Sequence, residues 1–212
     1  GDDHRTWLIF SDHQGAGEAL SKQLQSTAVN PMLVFRDPSM VNANQEQSLE
    51  AYFFKLFDEL KELAPLEHVV FFWGLDIPPI ETMSTKALRE SEFTTSGAAL
   101  FLVKALKKWI DSATMTVAPK LWFVTSGGVC ASNDDKNLNP LAHCLWGIGR
   151  TIALEHPQLW GGLIDLDSNF VSTLNDTCQL LRAEIALEQQ GNKVEQQGNK
   201  VEQQGNKVEQ QG

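Results

Sequence analysis

Residues 139–167, NPLAHCLWGIGRTIALEHPQLWGGLIDLD, decide how the chain folds. Asn139 can accept a backbone N–H and Pro140 presets the first turn, so the pair predicts a helix start. Apolar residues at Leu141, Leu145, Ile148, Ile152 and Leu154 recur at helical spacing and predict one buried face. Gly147 and Gly149 fall inside that helix, where each costs roughly 1 kcal/mol against alanine. Both are therefore expected to allow a close backbone approach within the sheet sandwich. Pro157 ends the helix, Gly161-Gly162 reads as a turn, and Leu163-Ile164-Asp165-Leu166 reads as a short strand. The stretch holds no nucleophile with a base and no metal cluster. It reads as scaffold.

Working outward, the same alternation recurs. Trp7-Leu8-Ile9-Phe10, Pro31 to Phe35, His68 to Trp73 and Lys120 to Thr125 read as strands. Their near-continuous apolar character suits parallel strands covered on both faces. Helices are expected over Glu18 to Ser26, Gln45 to Leu63, Ser91 to Ile110 and Thr173 to Leu187. The second carries Leu49, Phe53, Leu56, Phe57 and Leu60 on one face, and the last carries Leu174, Leu180, Leu181 and Ile185. Five alternations predict an α/β domain with a doubly wound, mostly parallel sheet of about five strands, a truncated Rossmann-like arrangement over residues 1–190.

From Glu188 the heptapeptide EQQGNKV repeats verbatim. Each copy has one apolar residue and a glycine, whereas a coiled-coil seam needs two apolar positions. Residues 191–212 are expected to be a repetitive polar tail without function. The opening Gly1-Asp2-Asp3-His4 reads as a cut within a longer polypeptide.

Composition narrows the function. The 212 residues are 42% hydrophobic with six tryptophans, enough for a real core. Net charge is −10 and the pI is near 4.9, which argues against a nucleic-acid surface. Cys130, Cys144 and Cys178 are odd in number and unrelated in spacing, which fits reduced, buried thiols in a cytoplasmic protein better than disulfides or zinc. The longest apolar runs fall far short of the roughly 20 residues of a membrane span. Neither a metal nor a membrane anchor is expected.

Candidate chemistry is sparse. The turn Asp12-His13-Gln14-Gly15-Ala16-Gly17 stands where a dinucleotide fold places its phosphate loop, but Leu20 replaces the third glycine. Asp12 also puts a negative charge where phosphate oxygens would come. Arg36 stands at the end of the second strand, where a ribose or 2′-phosphate contact would fall. Gly15, Gly17 and Arg36 are thus degenerate cofactor candidates, set against a plain strand–helix turn. Ser126 ends the fourth strand, but Val124 replaces the first glycine of a nucleophile elbow. Tyr52 and Lys55 evoke a reductase Tyr/Lys pair, yet they stand three residues apart where four are needed, and Leu56 takes the required place. Tyr52 is the only tyrosine, so no other residue can supply that acid. His68, His143 and His156 are isolated and expected to face solvent or cap helices, with His156 suited to a helix C-terminus. No catalytic residue is expected.

The ordered series Trp7-Leu8-Ile9-Phe10 with Gly15-x-Gly17, Val69 to Leu75, Leu121 to Thr125, Leu145-Trp146-Gly147-Ile148-Gly149-Arg150, Ala153 to Pro157 and Trp160 to Leu166 resembles a known family. It is similar to the ketoreductase region of modular type I polyketide synthases, over roughly residues 5–190, and within that to the N-terminal, non-catalytic structural subdomain. The resemblance implies a short-chain dehydrogenase-like fold and a partner, the catalytic half. That half holds NADPH and the Ser, Tyr and Lys that reduce a β-ketoacyl group on acyl carrier protein. It implies no cofactor here, and a role in packing on the catalytic half and neighbouring synthase domains. The alternatives are an independent dinucleotide-binding oxidoreductase using Gly15, Gly17 and Arg36, and an inactive scaffold or dimerisation element.

Overall fold

A computed structural model of the chain describes residues 5–37, 45–60, 65–113, 117–128 and 139–187. Cys130, the first four residues and the heptapeptide tail lie outside them. Five strands form one sheet: β1 (Arg5–Ser11), β2 (Val29–Phe35), β3 (Leu66–Phe71), β4 (Lys120–Ser126) and β5 (Trp160–Leu166). Their spatial order is β2-β1-β3-β4-β5 and every pairing is parallel. The doubly wound α/β arrangement expected from the alternation is the one observed.

Strand position explains the burial. In β1, Thr6 to Ser11 are all buried, because both neighbours and both faces are covered. β2 and β5 are the outer strands and stay half-exposed along most of their length. One face is covered by α2 (Gln45–Leu60), α4 (Ala98–Ala113) and α5 (Pro140–Glu155). There Phe10, Phe53, Phe71 and Trp73 form an aromatic cluster, with ring centroids 5.4–6.1 Å apart. The other face is covered by α1 (Ala16–Leu24) and by a last helix, α6, over 174–187. Cys178, Leu181 and Ile185 of α6 pack there with Ala16 and Leu20.

Several elements depart from expectation. The Gly161-Gly162 pair lies inside β5 rather than in a turn, because the Trp122 indole of β4 fills the space a side chain would need. A Cβ on either would come within 2.4 or 2.7 Å of that ring. The helix expected over Ser91 to Ile110 is two. The first, α3 (Thr85–Glu92), starts six residues earlier, where the Ser84 hydroxyl accepts from Ala87 N–H at 3.2 Å. A π turn, Phe93–Gly97, then joins it to α4. Leu154 and Leu180 do not reach the core; they are 84% and 72% exposed.

The two glycines of α5 also part company. A Cβ on Gly149 would stand 2.6 Å from the Trp160 ring and 2.7 Å from Leu163, so this glycine does let α5 approach β5. Gly147 faces outward, and among the described residues nothing lies within 4 Å of the position its Cβ would take. It is not a packing glycine of this sheet sandwich. No described helix is long and apolar enough to cross a membrane.

Candidate functional site

In an open parallel α/β sheet, ligands bind beyond the carboxyl ends of the strands at the point where strand order reverses. Here that point lies between β1 and β3, and the Gly15-x-Gly17 turn sits on it. Gly15 has φ of +99°, which glycine adopts without strain. Gly17 is required for a different reason: a Cβ there would fall 2.3 Å from the Ser11 hydroxyl oxygen. Both glycines are therefore explained by seating α1 against the end of β1.

The donors that a phosphate would use point at Asp12. The buried Asp12 carboxylate accepts from the N–H groups of Gln14 at 3.0 Å, Ala16 at 3.2 Å and Gly17 at 2.8 Å. An anion at the start of a helix is favoured by the unpaired N–H groups and the dipole, and here the chain supplies its own. A pyrophosphate at this turn would meet a carboxylate already hydrogen-bonded to these donors. The residues present do not fit a dinucleotide phosphate.

The rest of the turn is tied to the 3₁₀ turn Trp73–Asp76 that follows β3. Asp76 accepts from the backbone N–H of His13 at 2.8 Å, and its second oxygen lies 3.0 Å from His13 Nδ1. Gln14 Nε2 donates to the carbonyl of Leu75. Arg36 reaches the same cluster: Nη1 donates to Thr94 Oγ1 at 3.2 Å and Nη2 lies 3.9 Å from Asp76. Gly15, Gly17 and Arg36 are thus brought to one end of the sheet, with Arg36 held between Thr94 and Asp76. Sequence reading missed Asp76, since nothing in Trp73-Gly74-Leu75-Asp76 marks it as a partner of a turn some sixty residues earlier.

A second polar cluster lies beyond β4 and β5. Asp165 accepts from Thr125 Oγ1 at 2.6 Å and from Gly128 N–H at 3.0 Å. Trp146 Nε1 donates to Thr125 Oγ1 at 3.1 Å, and His143 Nδ1 lies 2.8 Å from the carbonyl of Gly128. These bonds clamp α5 to the strand ends around Gly127-Gly128, which follow Ser126. His156, as expected, closes the C-terminus of α5, donating its backbone N–H to Ile152.

His68 overturns its expected solvent-facing role. It is wholly buried in β3, its ring 4.5 Å from that of Trp7, and Trp122 Nε1 donates to its Nδ1 at 3.0 Å. Burial disfavours the cation and lowers its pKa to about 4, with the Glu67 charge opposing and those of Arg5 and Lys120 assisting. His68 is a neutral core acceptor.

Tyr52 and Lys55 lie in unlike surroundings on α2. Tyr52 is half-buried beside Phe53, and burial together with the charges of Asp37 and Glu59 raises its pKa. A reductase acid needs the opposite shift. Lys55 is exposed and lies 3.8 Å from Glu59. Against the expectation of buried thiols, Cys144 is exposed on the outer side of α5, while Cys178 is buried with its thiol toward the Ala16 carbonyl at 3.4 Å. Among the described residues, no three His, Cys, Asp or Glu side chains gather as a metal site.

The parallel order, the glycine turn at the switch point and the helices on both faces define a Rossmann-like domain. Residues 16–195 match the family described as the Rossmann fold domain of the polyketide synthase extender module SpnB, and the chain belongs to that family. It is 47% identical over 74 residues to the pikromycin polyketide synthase component PikAII of Streptomyces venezuelae, covering 35% of this chain and 2% of that one. It is 37% identical over 101 residues to the polyketide synthase GfsA of Streptomyces halstedii, covering 44% and 1%. The chain thus spans only a few per cent of these relatives.

Among solved structures, a C2-type ketoreductase from a modular polyketide synthase superposes with a TM-score of 0.56 at 26% identity, over 84% of this chain and 36% of that one. A short-chain dehydrogenase from Rhodopseudomonas palustris superposes with a TM-score of 0.54 over 84% and 92%, and its 14% identity speaks for the fold alone. The chain is a ketoreductase-related Rossmann domain of the modular polyketide synthase type.

Proposed function

We propose that this chain is the non-catalytic, N-terminal structural subdomain of a polyketide synthase ketoreductase, formed by residues 1–190, with no functional role for residues 191–212. Its work is to pack on and stabilise a catalytic half that follows in the same polypeptide. There NADPH would reduce a β-ketoacyl group carried on acyl carrier protein. In this reading the fragment has no catalytic residue and binds no cofactor.

The observation that carries the reading is the Asp12 carboxylate on the N–H groups of Gln14, Ala16 and Gly17. It puts an internal anion where a cofactor phosphate would need to be. Two further facts support it. The only tyrosine has a raised rather than lowered pKa, and the ketoreductase relative extends well beyond the part that this chain matches. A matching partner unit has room in that remainder.

Calorimetric titration of the chain with NADPH tests the reading directly, and no saturable heat is expected at micromolar concentrations. Saturable micromolar binding, abolished by Arg36→Ala, would establish the dinucleotide-binding alternative instead. Co-expression with the segment that follows it in its polypeptide is expected to give a complex that co-purifies.

A further inference from the structure

We propose that the outer edge of β2 is a self-association surface, along which a second copy of this chain adds its own β2 in antiparallel orientation. The inference goes beyond the structural-subdomain reading and does not depend on it. β2 is the outermost strand on its side of the sheet, and among the described residues no strand pairs with its outer edge. It pairs with β1 in unbroken register, from Arg5 opposite Val29 to Ser11 opposite Phe35, so its outer edge is an equally regular row of backbone groups. Open edges of this kind are usually guarded by charge, by a bulge or by a covering element. Residues Ser26 to Phe35 carry no charge at all, in a chain whose net charge is −10.

The hydrogen bonds of β1 show which groups face outward. Thr6 N–H donates to the Pro65 carbonyl at 2.8 Å, and the Phe10 carbonyl accepts from Phe72 N–H at 2.9 Å. The even-numbered residues of β1 therefore turn their backbone groups to β3. The odd-numbered ones turn to β2, as the bond from Arg5 N–H to the Ala28 carbonyl at 3.4 Å shows. In β2 the even-numbered residues answer them, which leaves Val29, Pro31, Leu33 and Phe35 with their backbone groups outward. Pro31 has no N–H, so its place on the free side removes no bond to β1, and it blocks the first half of the edge. Leu33 and Phe35 keep both donor and acceptor.

The side chains make the second half self-complementary. Met32 and Val34 pack against the core under α2 and α4, whereas Leu33 and Phe35 lie on the opposite face of the strand and are 36% and 47% exposed. A twofold axis at Val34 sets Leu33 opposite Phe35 of the second copy, and Phe35 opposite its Leu33. Each such pair exchanges two main-chain hydrogen bonds, about four in all, and covers two apolar side chains with one another. An axis at Met32 or Leu33 would place Pro31 inside the ladder, opposite a carbonyl that needs a donor. Charge favours the same contact, because two copies of net charge −10 repel one another least where the facing segments are uncharged. The contact is small beside a standard interface, so a reversible dimer of micromolar affinity is expected.

Sedimentation equilibrium of the intact chain from about 1 to about 300 μM reads the association. A monomer–dimer equilibrium is expected, with Leu33→Lys and Phe35→Lys each raising the dissociation constant at least about tenfold while keeping the thermal transition. Leu180→Glu, at an exposed position on α6, should leave that constant unchanged. A second measurement does not rely on the lysine variants and uses added cysteines in a Cys130→Ser, Cys144→Ser background. The thiol of Val34→Cys would lie opposite its own copy across the axis. Under mild oxidation it should give a disulfide-linked dimer at least about tenfold faster than that of Met32→Cys, which falls opposite Arg36. A chain that stays monomeric throughout the range, a dimer undiminished by both lysine variants, or cross-linking no faster at position 34 than at position 32 would each overturn the proposal. None of these results touches the subdomain reading, which stands or falls on NADPH titration and co-purification.

Discussion

Lowering the pH should unfold this domain earlier than its carboxylates alone require, because His68 must accept a proton in a place built for the neutral ring. Its Nδ1 already accepts from Trp122 Nε1 at 3.0 Å, so a proton there would face another donor among buried aromatic rings. Its folded-state pKa is lowered to about 4, against roughly 6.5 in the unfolded chain. The unfolded state therefore binds more protons between those values, and the neutral-ring contribution is fully present above pH 6.5 and lost as pH falls toward 4. Linkage over that window makes the loss between pH 8 and pH 5 about 2 kcal/mol. For a domain of this size that is a fall of about 4–8 °C in Tm. Urea denaturation of the wild-type chain and His68→Gln at pH 8, 6.5 and 5 measures it. The carboxylate contribution is common to both proteins, so the wild type should lose about 2 kcal/mol more than the variant across the series. Parallel losses in the two proteins would refute the assignment of His68 as a buried neutral acceptor.

Three other outcomes follow from the same geometry. Asp12→Ala removes three hydrogen bonds from a buried carboxylate and leaves backbone donors unpaired, so thermal or urea unfolding should show a loss of about 3 kcal/mol or more. Gly149→Ala should destabilise by about 1–2 kcal/mol, since the new methyl group meets Trp160 and Leu163, whereas Gly147→Ala should stabilise the isolated chain by up to about 1 kcal/mol. Burial pushes the Cys178 thiol up to about 11, assisted by the Asp12 charge, so at pH 8 thiol reagents should modify exposed Cys144 while Cys178 reacts only on unfolding. Peptide mapping after brief alkylation distinguishes the two.

Much of the candidate site was legible in the chain order. Asp12 stands immediately before the glycine turn, so its conflict with a phosphate could be read from charge and position. The Tyr52–Lys55 spacing of three already departed from the four residues that a reductase pair needs. Asp76, Thr94 and Asp165 were not legible, because each acts on a residue brought to it by sheet pairing or by a turn beyond a strand. Sequence spacing says nothing about such contacts.

What the sequence determined by itself is the alternation of apolar strands and amphipathic helices, its punctuation by Asn139-Pro140 and Pro157, and the damaged phosphate turn. These depend on backbone preference, side-chain period and local charge, all of which act between near neighbours. Only the tertiary structure decided that Gly161-Gly162 continue a strand under the Trp122 ring, and that His68 is a core acceptor. Only it separated Gly149, pressed against Trp160, from Gly147, open to the outside. The two glycines stand two residues apart in one helix, and a helix turns such positions to different sides. Which side meets the sheet is set by the neighbours that packing brings there.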